Sequence, residues 1–436
     1  MRINKYSFLF IYALFVSAAT FAQGQFTLEE AIELGIKNSY DIAVVNNNAA
    51  IAENNNTLGN AGMLPVVDIN ASTNFATNAT KQKFYTGETI DRSGVKNSNI
   101  TSGVYLTWTL FNGLKMFATH EQLSALEAMG KLSSKIQIEN TLQSIIITYY
   151  NVVKQKQLIK GLSENIKISE ERLAIAQKKF DVGAGSKLDV LQAKTDMNAQ
   201  ASNLIRQKTI LDELKMSLNQ LLARPAETTF EVNDSIPVSF QLKYEDLKTN
   251  YQKANVSLLY AQENMALSKQ QLNSTKADMF PVINLNANYL FTRAQNGAGQ
   301  LLFNQNLGFN YGLTASWRIF NGFTLNNRIK NARLQEENAS LNYKNIQSQV
   351  EQQLIIAFKH YEDDKKVLDL EEDNLKLVKE AVNIALERFR IGSSNSLELK
   401  VIQQTYDDAL VRLSEARYNA KVSETTLMKL NGSLVK

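Results

Sequence analysis

The feature that most constrains the fold of this chain is a heptad repeat that occurs twice. An apolar residue recurs at every seventh position from Ile138 to Phe180, and again from Leu354 to Phe389. The second series is the first one from Ile145 onward, displaced by 209 positions (389 − 180). Residues seven apart share one helix face, so a sustained heptad predicts long helices packed as in a coiled coil. A register that survives a duplication predicts two structural repeats.

Each heptad series ends at a glycine-containing turn, over residues 180–189 and 389–398. Both turns read Phe-x-x-Gly, and a carboxylate follows six residues after the glycine. A further heptad series begins after each turn. Glycine readily adopts the left-handed conformation that ends a helix, so the pattern predicts two long antiparallel helical hairpins. The first outgoing helix is predicted over 114–182, roughly 100 Å at about 1.5 Å per residue.

Four other segments alternate apolar and polar residues with a period of two, which predicts strands. We place these strands at 66–76, 102–111, 282–292 and 307–320, with polar loops over 77–99 and 294–306. The first and third strands begin after a Met-x-Pro tripeptide, and the second and fourth end at Phe-Asn-Gly. The same order of elements therefore appears in both halves of the chain.

The N-terminus predicts a secretory signal peptide over residues 1–22. Arg2 and Lys5 precede an unbroken apolar run from Phe8 to Val16, which is too short to span roughly 30 Å of hydrocarbon. The remaining chain divides into a first repeat (23–224), a connector (225–243) and a second repeat (244–436). We therefore expect an exported protein that enters a membrane, if it enters one, by strands.

Composition narrows the possible functions further. The 436 residues include 47 Lys+Arg, 43 Asp+Glu, two His and no Cys. A net charge of +4 over this length does not indicate a nucleic-acid partner. Without Cys there are no disulfides or thiolate metal sites, and two His leave little room for a histidine metal cluster. The sequence predicts neither an enzyme nor a bound cofactor or metal.

Four strands are too few for a closed membrane barrel, and an open sheet would leave edge N–H and C=O groups without partners in lipid. Several protomers sharing one barrel would solve this, whereas a soluble β-sandwich is the alternative. In the barrel, the apolar faces contact lipid and the polar faces line a wet lumen. The predicted lipid-facing aromatics are Trp108, Tyr289, Phe309, Tyr311 and Trp317. The predicted lumen residues are Asp68, Asn70, Asn284, Asn286, Asn310 and Arg318, of which Arg318 could instead pair with Asp68.

This ordered set of features resembles the TolC family of outer-membrane efflux proteins. The resemblance covers essentially the whole mature chain. It implies an α+β membrane protein with an internal two-fold repeat, in which three protomers form one α-helical barrel and share a transmembrane β-barrel of twelve strands. It also implies a homotrimer in the outer membrane of a Gram-negative bacterium, extending into the periplasm. The implied partners are outer-membrane lipid, a periplasmic adaptor (membrane fusion) protein and an inner-membrane pump, either resistance–nodulation–division or ATP-driven.

The resemblance also assigns roles at the hairpin tips. Asp189 and Glu398 match carboxylates that constrict the periplasmic end of the pore, although each could simply complement a helix N-terminus. The residues implied in the tip turns and the adaptor contact are Gly183, Gly392, Phe180, Phe389 and Arg390. The two Phe residues end the heptad series and could instead pack in the core. This chain departs from better-known members at Ser394, where they have a basic residue, and at Val401, where they have a second acid.

The function that follows is an exit duct, gated at its periplasmic tips, that conducts substrates passively from a pump to the exterior. A passive diffusion porin and a non-conducting coiled-coil surface protein are the alternatives. The cargo and the pump class cannot be read from the residues.

Overall fold

The computed structural model describes residues 25–239, 241–299 and 301–434, so the predicted signal peptide lies outside the described residues. The chain forms two compact units. The first contains residues up to 45, 134–258 and 347 onward, and the second contains 46–133 and 259–346. Each unit therefore draws on both sequence repeats.

Eight helices of the described residues account for most of the chain. The two longest, α3 and α7, have 67 residues each, and the helices that return from them, α4 and α8, have 35 each. Both pairs are offset by 209 positions, as the two heptad series are. No helix in this part of the chain combines the length and apolar character that crossing a membrane requires. The helices are α1 (Leu28–Asn38), α2 (Tyr40–Asn55), α3 (Lys115–Asp181), α4 (Lys187–Leu221), α5 (Tyr244–Ala254), α6 (Val256–Ala277), α7 (Thr324–Arg390) and α8 (Ser396–Leu430).

The second unit contains one antiparallel sheet with the strand order β1-β2-β3-β4. Its strands are β1 (Val66–Lys83), β2 (Thr89–Asn112), β3 (Val282–Asn296) and β4 (Phe303–Ser316). The prediction of a loop over 77–99 was wrong, because β1 and β2 continue to pair as far as Lys83 and Thr89. These outer parts lack an apolar face, so period-two hydrophobicity gave no signal there. The prediction of a fourth strand to residue 320 was also too long.

Strand pairing sorts the side chains into apolar and polar rows across the sheet. Ile69, Val104, Tyr289 and Phe309 form one cross-strand row, and Asp68, Tyr105, Asn288 and Asn310 form the next. The apolar row is largely exposed in the single chain, with Ile69 at 79% and Phe309 at 63%. No second sheet covers it among the described residues, which argues against the β-sandwich.

A register shift between Thr109 and Phe111 corrects the predicted face of one residue. Strict alternation from Trp108 would place Leu110 on the same face, but Leu110 falls at the irregularity and is not paired with a residue of β3. Phe111 pairs with Ile283 instead and joins the apolar residues. A bulge of this kind adds one residue to one strand, which strict alternation cannot anticipate.

Matching hydrogen bonds join a tryptophan to the segment that precedes the first strand in both hairpins of the sheet. Trp108 Nε1 donates to the carbonyl of Met63 at 2.9 Å, and Trp317 Nε1 donates to that of Met279 at 3.0 Å. Each repeat thus joins its Met-x-Pro tripeptide to a tryptophan in the same way.

The largest buried cluster of the first unit ties the connector to the long helices. Phe26 forms a bridge with Val232 of the connector, and its carbonyl accepts a 2.8 Å hydrogen bond from the Tyr149 hydroxyl of α3. Val232 is fully buried and Tyr149 is 2% exposed. This cluster fixes the start of the described chain and the connector against one face of α3.

Tyr149→Phe removes that hydroxyl and leaves the buried Phe26 carbonyl without its donor. We expect a loss of about 1 kcal/mol in local stability and faster proteolysis of the segment around Phe26. The thermal midpoint in detergent and the protease cleavage rate measure the effect. Tyr40→Phe, at a side chain that is 77% exposed, is the matched control and should change neither quantity.

Candidate functional site at the hairpin tips

The first tip is a tight turn between α3 and α4. Gly183 has φ +77°, which a residue with a Cβ rarely adopts. The amide of Ala184 donates back to the carbonyl of Lys179 at 2.8 Å, which closes the last turn of α3. The structure therefore confirms the predicted helix-ending turn at Gly183.

Asp189 takes part in a capping box at the start of α4. Its amide donates to Ser186 Oγ at 3.1 Å, and its carboxylate accepts from the Ser186 hydroxyl at 2.7 Å. In the single chain this carboxylate thus occupies the helix N-terminal position that the sequence left open as an alternative to the gate. The two roles are compatible, because the capping box occupies only one face of the carboxylate.

The second tip repeats the turn with different partners. Gly392 has φ +83°, and Asn395 caps α8 by accepting from the amide of Glu398 at 2.8 Å. Arg388 donates to one oxygen of Glu398 at 2.7 Å, and Ser394 donates to the other at 2.7 Å. Glu398 is therefore held within its own hairpin by both Arg388 and Ser394.

The tip aromatics differ in a way that the shared motif did not reveal. Phe389 is 4% exposed and packs among Ala176, Leu386 and Leu399, which is the core position that the sequence left open as the alternative to an adaptor contact. Phe180 is 37% exposed, with the Lys187 ammonium 5.1 Å from its ring centroid. Only Phe180 remains available at the surface.

Arg390 is engaged within the chain rather than free in solvent. Its guanidinium donates to Glu387 at 2.7 Å and also bonds to Glu171 of α3. Arg390 thus connects the two hairpins at the tip. The pair is about half exposed, so its contribution to stability is small.

A group of polar side chains, three of them buried and two partly buried, lies behind the tips, and sequence reasoning missed it. We call it the polar joint: Arg172, Asp196, Ser396, Lys400 and Gln403. Arg172 is 2% exposed, donates to Ser396 Oγ at 2.8 Å and lies 3.2 Å from an oxygen of Asp196. Lys400 donates to the other oxygen of Asp196 at 2.7 Å. Burial lowers the pKa of the Arg172 guanidinium, and the facing Asp196 opposes that shift.

The polar contacts continue along the same helices away from the tips. Gln403 donates to Ser169 Oγ at 3.1 Å, and Asn165 donates to Asp407 at 2.6 Å. Burial raises the pKa of Asp407 to about 6. The sequence does contain a signal for this row of polar contacts. Asn165 and Arg172 are seven residues apart, and so are Ser396 and Gln403. Polar residues at heptad spacing indicate a polar stripe inside the coiled coil.

The sheet places most of the predicted lumen residues within paired strands. Asn310 donates to Asn288 at 3.1 Å, and Asn286 donates to Thr314 at 3.0 Å, so the polar rows are hydrogen-bonded across strands. Arg318 lies beyond the end of β4, and among the described residues it forms no ion pair with Asp68. The lumen position of Arg318 therefore does not follow from strand alternation. Asp68, Asn70 and Asn284 lie within paired strands.

The predicted lipid-facing aromatics are all exposed in the single chain. Trp108 is the least exposed, at 38%, and Tyr311 is the most exposed, at 77%. Phe309 and Tyr311 stack along β4 with ring centroids 5.7 Å apart. Tyr289 is half exposed, and Trp317 lies just beyond the end of β4. So many exposed aromatic rings on one sheet indicate a surface that is covered by lipid or protein.

Comparisons with known proteins agree with this architecture. A family model described as outer membrane efflux protein matches residues 31–224 and 249–433. The outer membrane protein TolC of Escherichia coli is 20% identical over 359 residues, which are 79% of this chain and 71% of that protein.

Two solved structures have the same fold. The Campylobacter jejuni CmeC outer membrane channel superposes with a TM-score of 0.77 at 17% identity, over 93% of this chain and 85% of that chain. VceC from Vibrio cholerae superposes with a TM-score of 0.77 at 14% identity, over 93% and 96% of the two chains.

The raised pKa of Asp407 predicts a pH-dependent stability. The folded value of about 6 exceeds the ordinary 3.8, so the folded chain holds a proton that the unfolded chain releases. This contribution is complete below about pH 4 and is lost as the pH rises through about 6. We expect the thermal midpoint to fall between about pH 4 and pH 6, and Asp407→Asn to reduce that fall.

The neighbouring Asp408 is exposed and also raises the pKa of Asp407, by less than burial does. Asp408 must therefore remain unchanged in this measurement. Asp373→Asn, at an exposed carboxylate of α7, is the control and should keep the wild-type pH profile. An identical profile for wild type and Asp407→Asn would contradict the assignment.

Proposed function

The chain belongs to the outer membrane efflux protein family, and we propose that it is the outer-membrane exit duct of an energy-driven efflux or secretion assembly. One observation carries this proposal. In both repeats of the chain, paired strands with an exposed apolar face are followed by a hairpin of helices with 67 and 35 residues. Such a chain suits a protein that lies in the outer membrane and extends into the periplasm. The predicted signal peptide is consistent with that location.

A homotrimer is supported by surfaces that one chain leaves uncovered. β1 and β4 are the two edges of the sheet, and each has unpaired N–H and C=O groups along its outer side. Joining β1 of one protomer to β4 of the next removes these edges, and three protomers then give a closed barrel of twelve strands. In that barrel the apolar row contacts lipid and the polar row lines the lumen.

Helix α7 supports the same association. Leu370, Leu377 and Ile384 follow one another at seven-residue intervals, and Ile391 continues the series just after the helix. They are 54–76% exposed. An exposed heptad stripe indicates that α7 packs against a helix of another protomer. A stripe on one side of each protomer gives a head-to-tail contact, which closes into a ring.

The tips supply the gate and the adaptor contact in this proposal. In a trimer, three copies each of Asp189 and Glu398 surround the periplasmic opening and favour cations over anions. Phe180, Arg390 and the turns at Gly183 and Gly392 form the surface on which a periplasmic adaptor docks. The energy comes from an inner-membrane pump, either resistance–nodulation–division or ATP-driven.

Recordings in planar bilayers test the duct and its gate together. We expect a conductance that is mostly closed and cation-selective in the wild type. Asp189→Asn with Glu398→Gln removes both negative charges while keeping the side-chain size and one acceptor oxygen at each position, and should lower cation selectivity. Asp363→Asn, at an exposed carboxylate of α7, is the control.

Each alternative function has its own outcome in these recordings. No conductance under any condition would contradict the duct and favour a structural protein. A large conductance that is always open would favour a diffusion porin. Unchanged selectivity in the double variant would contradict the gate assignment alone.

Ile384→Glu tests the trimer. A charge in the middle of the α7 stripe should prevent association, because it would be buried without a partner. Light scattering of detergent-purified protein should show trimers for wild type and smaller species for the variant. Asn383→Glu places the same charge at the neighbouring exposed position and should remain trimeric. Trimers of Ile384→Glu with wild-type stability would refute the interface.

A further inference from the structure

A cavity of about 780 Å³ lies in the first unit, where α8 ends and α6 begins. Its walls are α3, α7 and the last turns of α8, and the first residues of α6 complete the lining. Asn255, which precedes α6, donates to the carbonyl of Leu430 at 3.0 Å and so joins the two helix ends. All residues that line the cavity belong to the first unit. The volume falls within the range of pockets that hold small organic molecules.

Glu139 of α3 lacks a partner for its buried carboxylate. The residue lines the cavity and is 4% exposed, and its Oε1 atom is buried without a hydrogen-bond partner among the described residues. Burial raises the pKa of Glu139, and the positive charges of Lys135 and Lys429 oppose that shift. A buried carboxylate is costly unless a cation or a hydrogen-bond donor satisfies it. The cavity therefore favours an occupant that supplies such a group.

Lys429 also lines the cavity, but its ammonium is committed to other groups. It donates to Asn140 Oδ1 at 2.6 Å and to Gln143 Oε1 at 2.7 Å. Burial lowers the pKa of Lys429, and the charge of Glu139 opposes that shift. Asp364 of α7 adds a second carboxylate to the lining, so two acidic side chains face the cavity with one lysine. This excess of negative charge favours a cation as the occupant.

The remaining lining indicates what kind of cation fits. Apolar side chains from three helices contribute to it, among them Ile136 of α3, Val350 and Ile356 of α7, and Val422 of α8. In the part of the chain that the structure describes, no three His, Asp or Glu side chains are grouped so that they could hold a metal ion. Apolar walls beside a carboxylate instead suit a molecule with an apolar body and one positively charged end.

We propose that this cavity binds a primary organic ammonium ion with an apolar body, whose charged group pairs with Glu139 while its body contacts Val350, Ile356 and Val422. An N–H of such an ammonium ion donates to the carboxylate in a charge-assisted hydrogen bond, which is stronger than a neutral one. The site goes beyond the proposed duct and does not depend on it, because it requires neither conductance nor a gate.

Calorimetry with phenylbutylammonium tests the site on the full chain in phosphatidylcholine nanodiscs. Nanodiscs avoid free detergent, whose apolar chains would compete for the cavity. We expect saturable binding of one phenylbutylammonium ion per chain. Phenylbutanol has nearly the same shape without the charge, so it should bind about tenfold more weakly. No saturable binding of phenylbutylammonium, or equal affinities for the two molecules, would overturn the proposal.

Glu139→Gln removes the negative charge and keeps the size of the side chain. It should weaken binding of phenylbutylammonium about tenfold and leave binding of phenylbutanol nearly unchanged. Glu170→Gln, at an exposed position of the same helix outside the cavity, is the matched control and should bind both molecules as wild type does. Wild-type affinity of Glu139→Gln for phenylbutylammonium would refute the role of this carboxylate and with it the proposal.

Val422→Phe tests whether the cavity itself is the place of binding. The larger side chain fills part of the cavity, so binding of both molecules should weaken. Val411→Phe, at an exposed position of the same helix outside the cavity, is the control and should bind as wild type. If Glu139→Gln fails to fold, this pair decides, and unchanged binding in Val422→Phe would overturn the site. A chain that binds phenylbutylammonium in this way but conducts no ions would overturn the duct alone.

Discussion

The constraint on which the structure depends is the single four-stranded sheet with two free edges and an apolar face. In water that face would remain exposed, and in lipid the edge N–H and C=O groups would lack partners. Neither medium therefore suits one protomer alone. Tyr289 and Phe309 occupy the exposed apolar row, and Asn288 and Asn310 are hydrogen-bonded in the row beside it. The trimer proposed above would satisfy both faces and both edges at once.

The two strand-to-helix junctions use the same sequence motif. Asn112 accepts a hydrogen bond from the amide of Met116 at 3.1 Å, and Asn321 accepts one from Leu325 at 3.3 Å. Each Phe-Asn-Gly motif thus ends an extended segment and starts a 67-residue helix within a few residues. Because both repeats use this junction, the same type of helix follows each half of the sheet. Duplication explains why one chain contains two hairpins of equal length.

The sequence predicted the repeating secondary-structure elements well, but it predicted poorly which side chains contact one another. The outgoing helix predicted over 114–182 agrees with α3 to within one residue at each end, because heptad packing repeats over many turns and isolated exceptions do not hide it. The outer halves of β1 and β2 were missed, since pairing there is held by backbone hydrogen bonds without an apolar pattern. Phe180 and Phe389 share one motif, yet only Phe389 is buried. That difference depends on which helix lies opposite, and a single sequence does not contain this information.

The polar joint was missed for a related reason. Apolar heptad residues pack α3 against its neighbours, and Arg172 lies beside that series, one residue before Leu173. A search for apolar periodicity treats such a residue as a surface position, although it is 2% exposed. Its guanidinium bonds to Ser396 and forms an ion pair with Asp196, so its burial depends on partners from α8 and α4 that the spacing along α3 does not reveal.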